Sequence, residues 1–324
     1  MTRLGLVLIL GVLAVGSAAG TPRWYAPGVI RAGAVNELYA WDSAPVGAFT
    51  VEITRGGASK ATARAKGFAV DRPLPGFEST QPPLRWSAAL VAPDALDPGG
   101  AVTVRFVGAD RTVLATFASR IQPRTFPVES IPLDKEMSLL REKTDARKDR
   151  EWAQIWGVYE HFDPTFPWGG ATISLPVPET VPLSAHFGDT RKYLYFDGSV
   201  SVDYHRGVDF AVPVGTAVEA PAPGSVIFVA ERMLTGTSVV IEHAPGVYSV
   251  YFHLSRALVV PGQGVVTGER IALSGATGLV TGPHLHWEWR VGGVSVDPLE
   301  LVSTGLLDTG TVGAVISSSE RLSH

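Results

Sequence analysis

Pro283 to Arg290 reads PHLHWEWR, and the alternation in this stretch decides the architecture. Side chains two apart on a β-strand point the same way. His284, His286 and Glu288 therefore share one face, and Leu285, Trp287 and Trp289 share the other. The second set is apolar and belongs in a core. Two further stretches carry histidine in a strand-like setting. HRGVD, His205 to Asp209, runs into the β-prone Val208–Val212, and its even offset of four allows both polar groups on one face. VYSVYFHL, Val247 to Leu254, places Tyr251 and His253 on one face, opposite Val250, Phe252 and Leu254. Across Ala244-Pro245-Gly246 it forms a hairpin with SVVIEH, Ser238 to His243.

Three strands can thus present imidazoles and a carboxylate to one groove. Zinc suits such a set, since it accepts His nitrogen and carboxylate oxygen in tetrahedral geometry and keeps one position open at catalytic sites. Two histidines and one carboxylate would supply three ligands. Spacing alone equally allows a site of three histidines, which would leave Asp209 without a ligand role. The chain has no cysteine, so thiol catalysis, disulfides and thiolate-bound metals are excluded.

The 324 residues carry 27 Lys+Arg against 31 Asp+Glu, a net charge of −4, which argues against an electrostatic nucleic-acid binder. At 45% hydrophobic and 18% charged, the chain can bury a core, and its length suits about two domains. Met1 to Gly20, MTRLGLVLILGVLAVGSAAG, has one Arg, an uncharged run from Leu4 to Val15 and a small-residue end. That is the three-part pattern of a secretory signal cut near Ala19 or Gly20, the alternatives being a buried N-terminal helix or a retained membrane anchor. No later stretch is long and apolar enough to span a membrane. An exported protein follows, in the periplasm, cell envelope or outside.

Residues 21–126 alternate short β-prone runs such as AVTVRFVG, from Ala101, with Gly/Pro turns, which predicts an immunoglobulin-like β-sandwich lacking the Cys and Trp hallmarks. This region contains no histidine, so chemistry belongs downstream. Residues 127–182 read as a charged amphipathic helix, Asp134 to Trp156 with a stripe of Leu140, Thr144, Trp152, Ile155 and Tyr159, followed by a Pro-rich linker. Residues 183–302 read as the catalytic domain, antiparallel and β-rich, and 303–324 as a loose tail. The whole is a mainly β protein.

The C-terminal region resembles the LytM/lysostaphin-type zinc metalloendopeptidases that cut peptidoglycan peptides. The resemblance covers roughly residues 183–300. It rests on HFGDTRKY, HRGVDFAVPVGTAVEAPAPGSVI, YFHLS, VVPGQGVVTGERIALSGATG and TGPHLHWEWR in that order. Ser238 stands where relatives often carry Asn, and Trp287 where they often carry Phe. The N-terminal sandwich and charged helix resemble, more loosely, an accessory region of some relatives. The resemblance implies one zinc ion per chain on His205, Asp209 and His286. It places His253 and His284 beside the reacting water and the scissile peptide. A non-catalytic wall-binding regulator that activates a separate hydrolase is the alternative function, against which the intact five-residue set argues. Among the other candidates, Glu288 is a candidate to orient an imidazole, and Arg191 and Tyr193 are candidate substrate contacts. Gly275, Gly278 and Gly282 form a rim for close peptide approach or simply serve turns. His243 reads as structural, His186 as an incidental loop residue, and His161 and His324 lie outside the motifs.

Overall fold

Period-two alternation shapes the N-terminal strands. In Val113–Gln122 every second residue from Ala115 to Ile121 is buried and those between are exposed. The computed structural model describes residues 12–14, 22–56, 58, 60–70, 84–142, 145–167, 172–307 and 312–314. Two units emerge: Met1–Arg124 with Leu307–His324, and Thr125–Leu306.

The first unit holds β1 (Val12–Ala14), β2 (Arg23–Ala26), β3 (Val29–Arg31), β4 (Asn36–Asp42) and β5 (Phe49–Arg55). It continues with β6 (Ala63–Lys66), β7 (Phe68–Val70), β8 (Arg85–Val91), β9 (Gly100–Gly108) and β10 (Val113–Gln122). They form two sheets, β1-β2-β4-β8-β7 and β3-β10-β9-β5-β6. Trp24, Leu38 and Val91 from one sheet and Val51, Phe106 and Phe117 from the other share a single core, which makes the unit a sandwich. Val12–Ala14, within the apolar run expected to be a signal, pairs with β2. The rest of Met1–Gly20 lies outside the described residues.

The second unit begins with β11 (Val128–Pro132), α1 (Lys135–Glu142), α2 (Ala146–Tyr159), β12 (Leu183–Ala185), β13 (Thr190–Leu194), β14 (Val200–Tyr204) and β15 (Val208–Phe210). It continues through β16 (Ala217–Glu219), β17 (Gly224–Arg232), β18 (Gly236–Ala244), β19 (Val247–Leu254) and β20 (Arg256–Ala257). It ends with β21 (Gly264–Val265), β22 (Arg270–Leu273), β23 (Leu285–Val291), β24 (Val294–Val296) and α3 (Pro298–Thr304). The main sheet runs β12-β15-β23-β19-β18-β17-β21, with β24 on β23. The expected hairpin is β18–β19. Ser303 and Thr304 close α3 and Leu306 is buried, so this unit remains ordered beyond Val302.

The charged segment departs from a single surface helix. Asp145, whose side chain accepts from the Arg147 backbone N–H, caps a second helix and separates α2 from α1. Buried Lys148 donates to the Leu140 and Arg141 carbonyls, closing the C-terminus of α1. Thr144 lies outside the described residues, and Trp152, expected on the buried stripe, is 46% exposed. Nor is this region a mere linker. β11 pairs in parallel with β13, and Ile155 and Tyr159 of α2 enter a core with Tyr248, Val250 and Phe252.

A fragment of residues 125–306 is therefore expected to fold by itself, while one starting at Leu183 loses the burial of Ile155 and Tyr159. That loss is roughly 3–6 kcal/mol, much of a domain's total stability. Thermal melts of the two fragments test this, and equal melting temperatures would refute it.

Candidate metal centre

Strand register brings the candidate residues together. β15 and β23 are antiparallel, with Asp209 directly opposite His286, and β19 on the other side of β23 sets Phe252 opposite His286. The alternation of PHLHWEWR holds: Leu285, Trp287 and Trp289 are fully buried. A Cβ on Gly207 would come within 2.2 Å of the Trp287 carbonyl oxygen, so glycine lets the chain between His205 and Asp209 lie against β23. His205 follows β14 and is gripped by the loop that precedes the site. Its backbone N–H donates to the Asp189 carbonyl and its own carbonyl accepts from Gly188 N–H, both at 2.8 Å.

Side-chain partners fix which nitrogens carry protons. His205 Nδ1 lies 2.9 Å from the His186 carbonyl, which can only accept, so the proton is on Nδ1 and Nε2 presents a lone pair. His286 Nε2 lies 2.9 Å from Glu288 Oε1, which places its lone pair on Nδ1. These two nitrogens and Asp209 Oδ1 face one another at 2.7, 2.9 and 3.0 Å. Three lone pairs converging on one point, all buried, are a donor set for a cation. His253 is not part of it and Asp209 is, so the geometry favours two histidines and one carboxylate over the three-histidine alternative.

The electrostatics agree. Burial pushes the Asp209 carboxyl up, but the two imidazoles facing it reverse this and hold it well below the usual carboxylate range. Burial lowers His286, yet Asp209 and Glu288 on its two nitrogens outweigh that and raise it to about 9. With Nε2–H committed to Glu288, the extra positive charge belongs at Nδ1, where a divalent cation meets the same demand as a proton. His205 is lowered by burial and stays a neutral donor.

Around these three sits a ring of supports. Arg191 Nη2 donates to Asp209 Oδ2 at 3.1 Å while Nε holds Glu129 at 2.9 Å, so Arg191 is spent on orienting the carboxylate and not on substrate. Arg290 grips Glu288 Oε2 at 2.7–2.8 Å, and Glu288 in turn orients His286. Arg290 went unnoticed in the sequence, although extending the same alternation two residues past Glu288 reaches it.

His284 and His253 complete the site. His284 Nδ1 donates to the Gly282 carbonyl at 2.9 Å, and its Nε2 lies 3.8 Å from Asp209 Oδ1. His253 Nδ1 donates to the Thr277 carbonyl at 2.8 Å, and burial with the nearby His286 pushes its pKa down to about 3. Both rings keep an Nε2 lone pair, their centroids 4.8 Å apart. Strict alternation would send His253 to the Tyr251 face, away from His286. Instead its φ is +59° beside a register shift in the β18–β19 ladder, and this left-handed residue turns the ring into the site. Phe252, expected on the opposite face, stacks on His286 with centroids 5.3 Å apart.

Residues 203–298 match the model of peptidase family M23. This part of the chain is an M23 peptidase domain. The domain is 50% identical over 102 residues to an uncharacterised metalloprotease of Haemophilus influenzae, a match covering 31% of this chain and 22% of that one. It is 46% identical over 96 residues to the peptidoglycan DD-endopeptidase ShyA of Vibrio cholerae, covering 30% of this chain and 22% of ShyA. The match thus spans under a quarter of either relative. A crystal structure assigned to peptidase M23 from Pseudomonas aeruginosa aligns over 78% of this chain and 92% of that one, with 27% identity and TM-score 0.49.

Beside the M23 donor set opens a cavity of about 220 Å³, lined by His205, His253 and His286 and walled by Trp152 and Ile155 of α2. Tyr193 also lines it, covered by the Arg141 guanidinium 3.7 Å above its ring. Of the rim glycines, a Cβ on Gly275 or Gly278 would meet backbone at 2.4 Å, so these two serve chain packing, whereas Gly282 faces open space. His243 is structural, bonded to the Pro223 carbonyl and Ser249 Oγ. His186 contributes its carbonyl, and its ring is exposed. Among the described residues no helix is long and apolar enough to cross a membrane.

Proposed function

We propose that this chain is an exported, zinc-dependent endopeptidase that hydrolyses peptide bonds in bacterial peptidoglycan. The observation that carries the reading is the convergence of the His205 Nε2, Asp209 Oδ1 and His286 Nδ1 lone pairs beside two further imidazoles. His205, Asp209 and His286 would hold one zinc ion. Bound there, zinc supplies Lewis acidity that polarises the scissile carbonyl and makes water nucleophilic near neutral pH.

The chain's own residues do the rest. His284 Nε2, nearest the donor set, takes the proton of the attacking water and returns it to the leaving amine. His253, neutral and held by its Nδ1–H bond to the Thr277 carbonyl, turns its Nε2 lone pair into the site and accepts a hydrogen bond from the attacking water. Phe252 stacks on His286, and Trp152 and Ile155 of α2 wall the cavity beside it. The domain's similarity to ShyA supports peptidoglycan as the substrate. The N-terminal sandwich, which we take as immunoglobulin-like, contributes placement rather than chemistry, and Met1–Gly20 acts as the export signal.

Incubating the zinc-loaded chain with peptidoglycan, with and without chelator, tests the reading. New amino termini without new reducing ends, lost on chelation, are expected. Release of nothing would leave only the regulator alternative.

Two supporting residues give a graded check. Arg191→Met and Glu288→Gln each keep all three ligands but loosen one of them. Each is expected to weaken zinc affinity about 10–100-fold, as loss of an orienting partner does elsewhere. Competition with a chromophoric chelator measures it, and unchanged affinity in both variants would refute the role.

A further inference from the structure

Two buried donors in the cavity have nothing to donate to. Arg232, the last residue of β17, is 8% exposed. Its Nη1 reaches Thr235 Oγ1 at 3.1 Å and its Nη2 the Glu151 carbonyl at a long 3.4 Å, but Nε has no acceptor. The Tyr159 hydroxyl is buried and has no acceptor for its proton, its neighbour being the Arg290 guanidinium 4.4 Å from the ring centroid, itself only a donor. Both residues line the cavity that also contains His253 and His286.

The other guanidinium groups around this cavity are matched by acids. Arg206 pairs with Asp203, Arg191 with Asp209 and Glu129, Arg290 with Glu288, and Arg141 with Asp203. Among the described residues Arg232 has no carboxylate within 4.0 Å. Neighbouring Glu151 does not serve it, because its two oxygens take Arg147 Nε at 2.7 Å and the Met233 backbone N–H at 2.8 Å. A buried cation without a counter-ion is unfavourable, and burial already draws the Arg232 pKa down. The Trp152 ring, its centroid 5.9 Å from the guanidinium, offers this cation a π face but no negative charge, which a ligand can supply.

We propose that Arg232 and Tyr159 form a carboxylate-binding subsite that holds a free carboxylate of the substrate peptide beside the metal centre. Nε and Nη2 lie on one edge of the guanidinium, the fork that matches a carboxylate with two parallel hydrogen bonds. Nη2 would exchange its long bond to the Glu151 carbonyl for a charge-assisted one, and the Tyr159 hydroxyl would donate a third. The inference rests on the peptidase reading for its substrate, since a peptide offers such a group at its end or on an acidic side chain. It makes the enzyme selective for peptides bearing a carboxylate near the cleaved bond.

The test uses N-acetyl-D-alanyl-D-alanine and its C-terminal amide, titrated by NMR into the full chain with zinc and after chelation. The acid is expected to bind about 10–100-fold more tightly than the amide in both states, the range of a hydrogen-bonded charge. Arg232→Gln should abolish that preference at unchanged zinc content, and Tyr159→Phe should reduce it. Equal binding of both compounds by the wild type, binding of neither, or a preference that survives in Arg232→Gln would each overturn the subsite. If Arg232→Gln does not fold, the wild-type comparison after chelation decides. Peptidoglycan release is measured separately. Hydrolysis without the preference sinks the subsite alone, and the preference without hydrolysis sinks the peptidase reading alone.

Discussion

His286→Ala is expected to leave the protein folded, nearly free of zinc, and without measurable peptide hydrolysis. His286 is the hub of the donor set, with Asp209 Oδ1 at 2.7 Å on one nitrogen and Glu288 Oε1 at 2.9 Å on the other. Its removal leaves one imidazole and one carboxylate, too few to complete a catalytic site of three protein ligands. The fold should tolerate the change because the acids exposed by it keep other partners, Asp209 with Arg191 and Glu288 with Arg290. The loss therefore differs from unfolding, and circular dichroism with elemental analysis separates the two. His205→Ala and Asp209→Ala should behave alike. A His286→Ala protein holding one zinc per chain would refute the ligand assignment, and an Asp209→Ala protein doing so would favour a histidine-only site.

Much of this site was legible because β-structure converts spacing into direction. PHLHWEWR needed only alternation to separate the buried Leu285, Trp287 and Trp289 from the face of His286 and Glu288. The same rule failed at His253, where one left-handed residue turns the imidazole into the site instead of to the face that alternation would assign. Backbone reversals of this kind leave little trace in composition, since His is not a residue that advertises positive φ as Gly does. The helical region shows a different limit. Its charge pattern indicated helix, but Asp145 as a cap, and the burial of Ile155 and Tyr159 against β19, depend on partners far along the chain. Arg191 and Arg232 illustrate the same point from the polar side. One is committed to Asp209 and the other, among the described residues, forms no ion pair with an acid, and only tertiary proximity distinguishes them.

His253→Ala and His284→Ala are expected to keep zinc and fold while losing turnover by about 10²–10⁴-fold, the usual range for a group that moves a proton. That is roughly 3–5 kcal/mol of barrier. Neither ring belongs to the converging donor set, so zinc content should stay near the wild-type value. The loss should fall mainly on kcat, because groups that accept the water's proton or orient that water act most strongly in the transition state. The two variants should differ in stability. His284 is the more exposed and bonds only a local carbonyl two residues away, so its removal should be nearly silent in the melt. His253 is buried and holds the Thr277 carbonyl, so His253→Ala gives up a hydrogen bond and leaves alanine in a left-handed conformation it tolerates no better. A modest drop in melting temperature is therefore expected for His253→Ala together with the loss of turnover. His253→Asn separates the two contributions, since Asn accepts positive φ more readily while lacking an imidazole. It should recover much of the stability and none of the activity. If His253→Asn instead cleaves peptide at the wild-type rate, the strained backbone at this position serves packing alone, and proton transfer rests on His284.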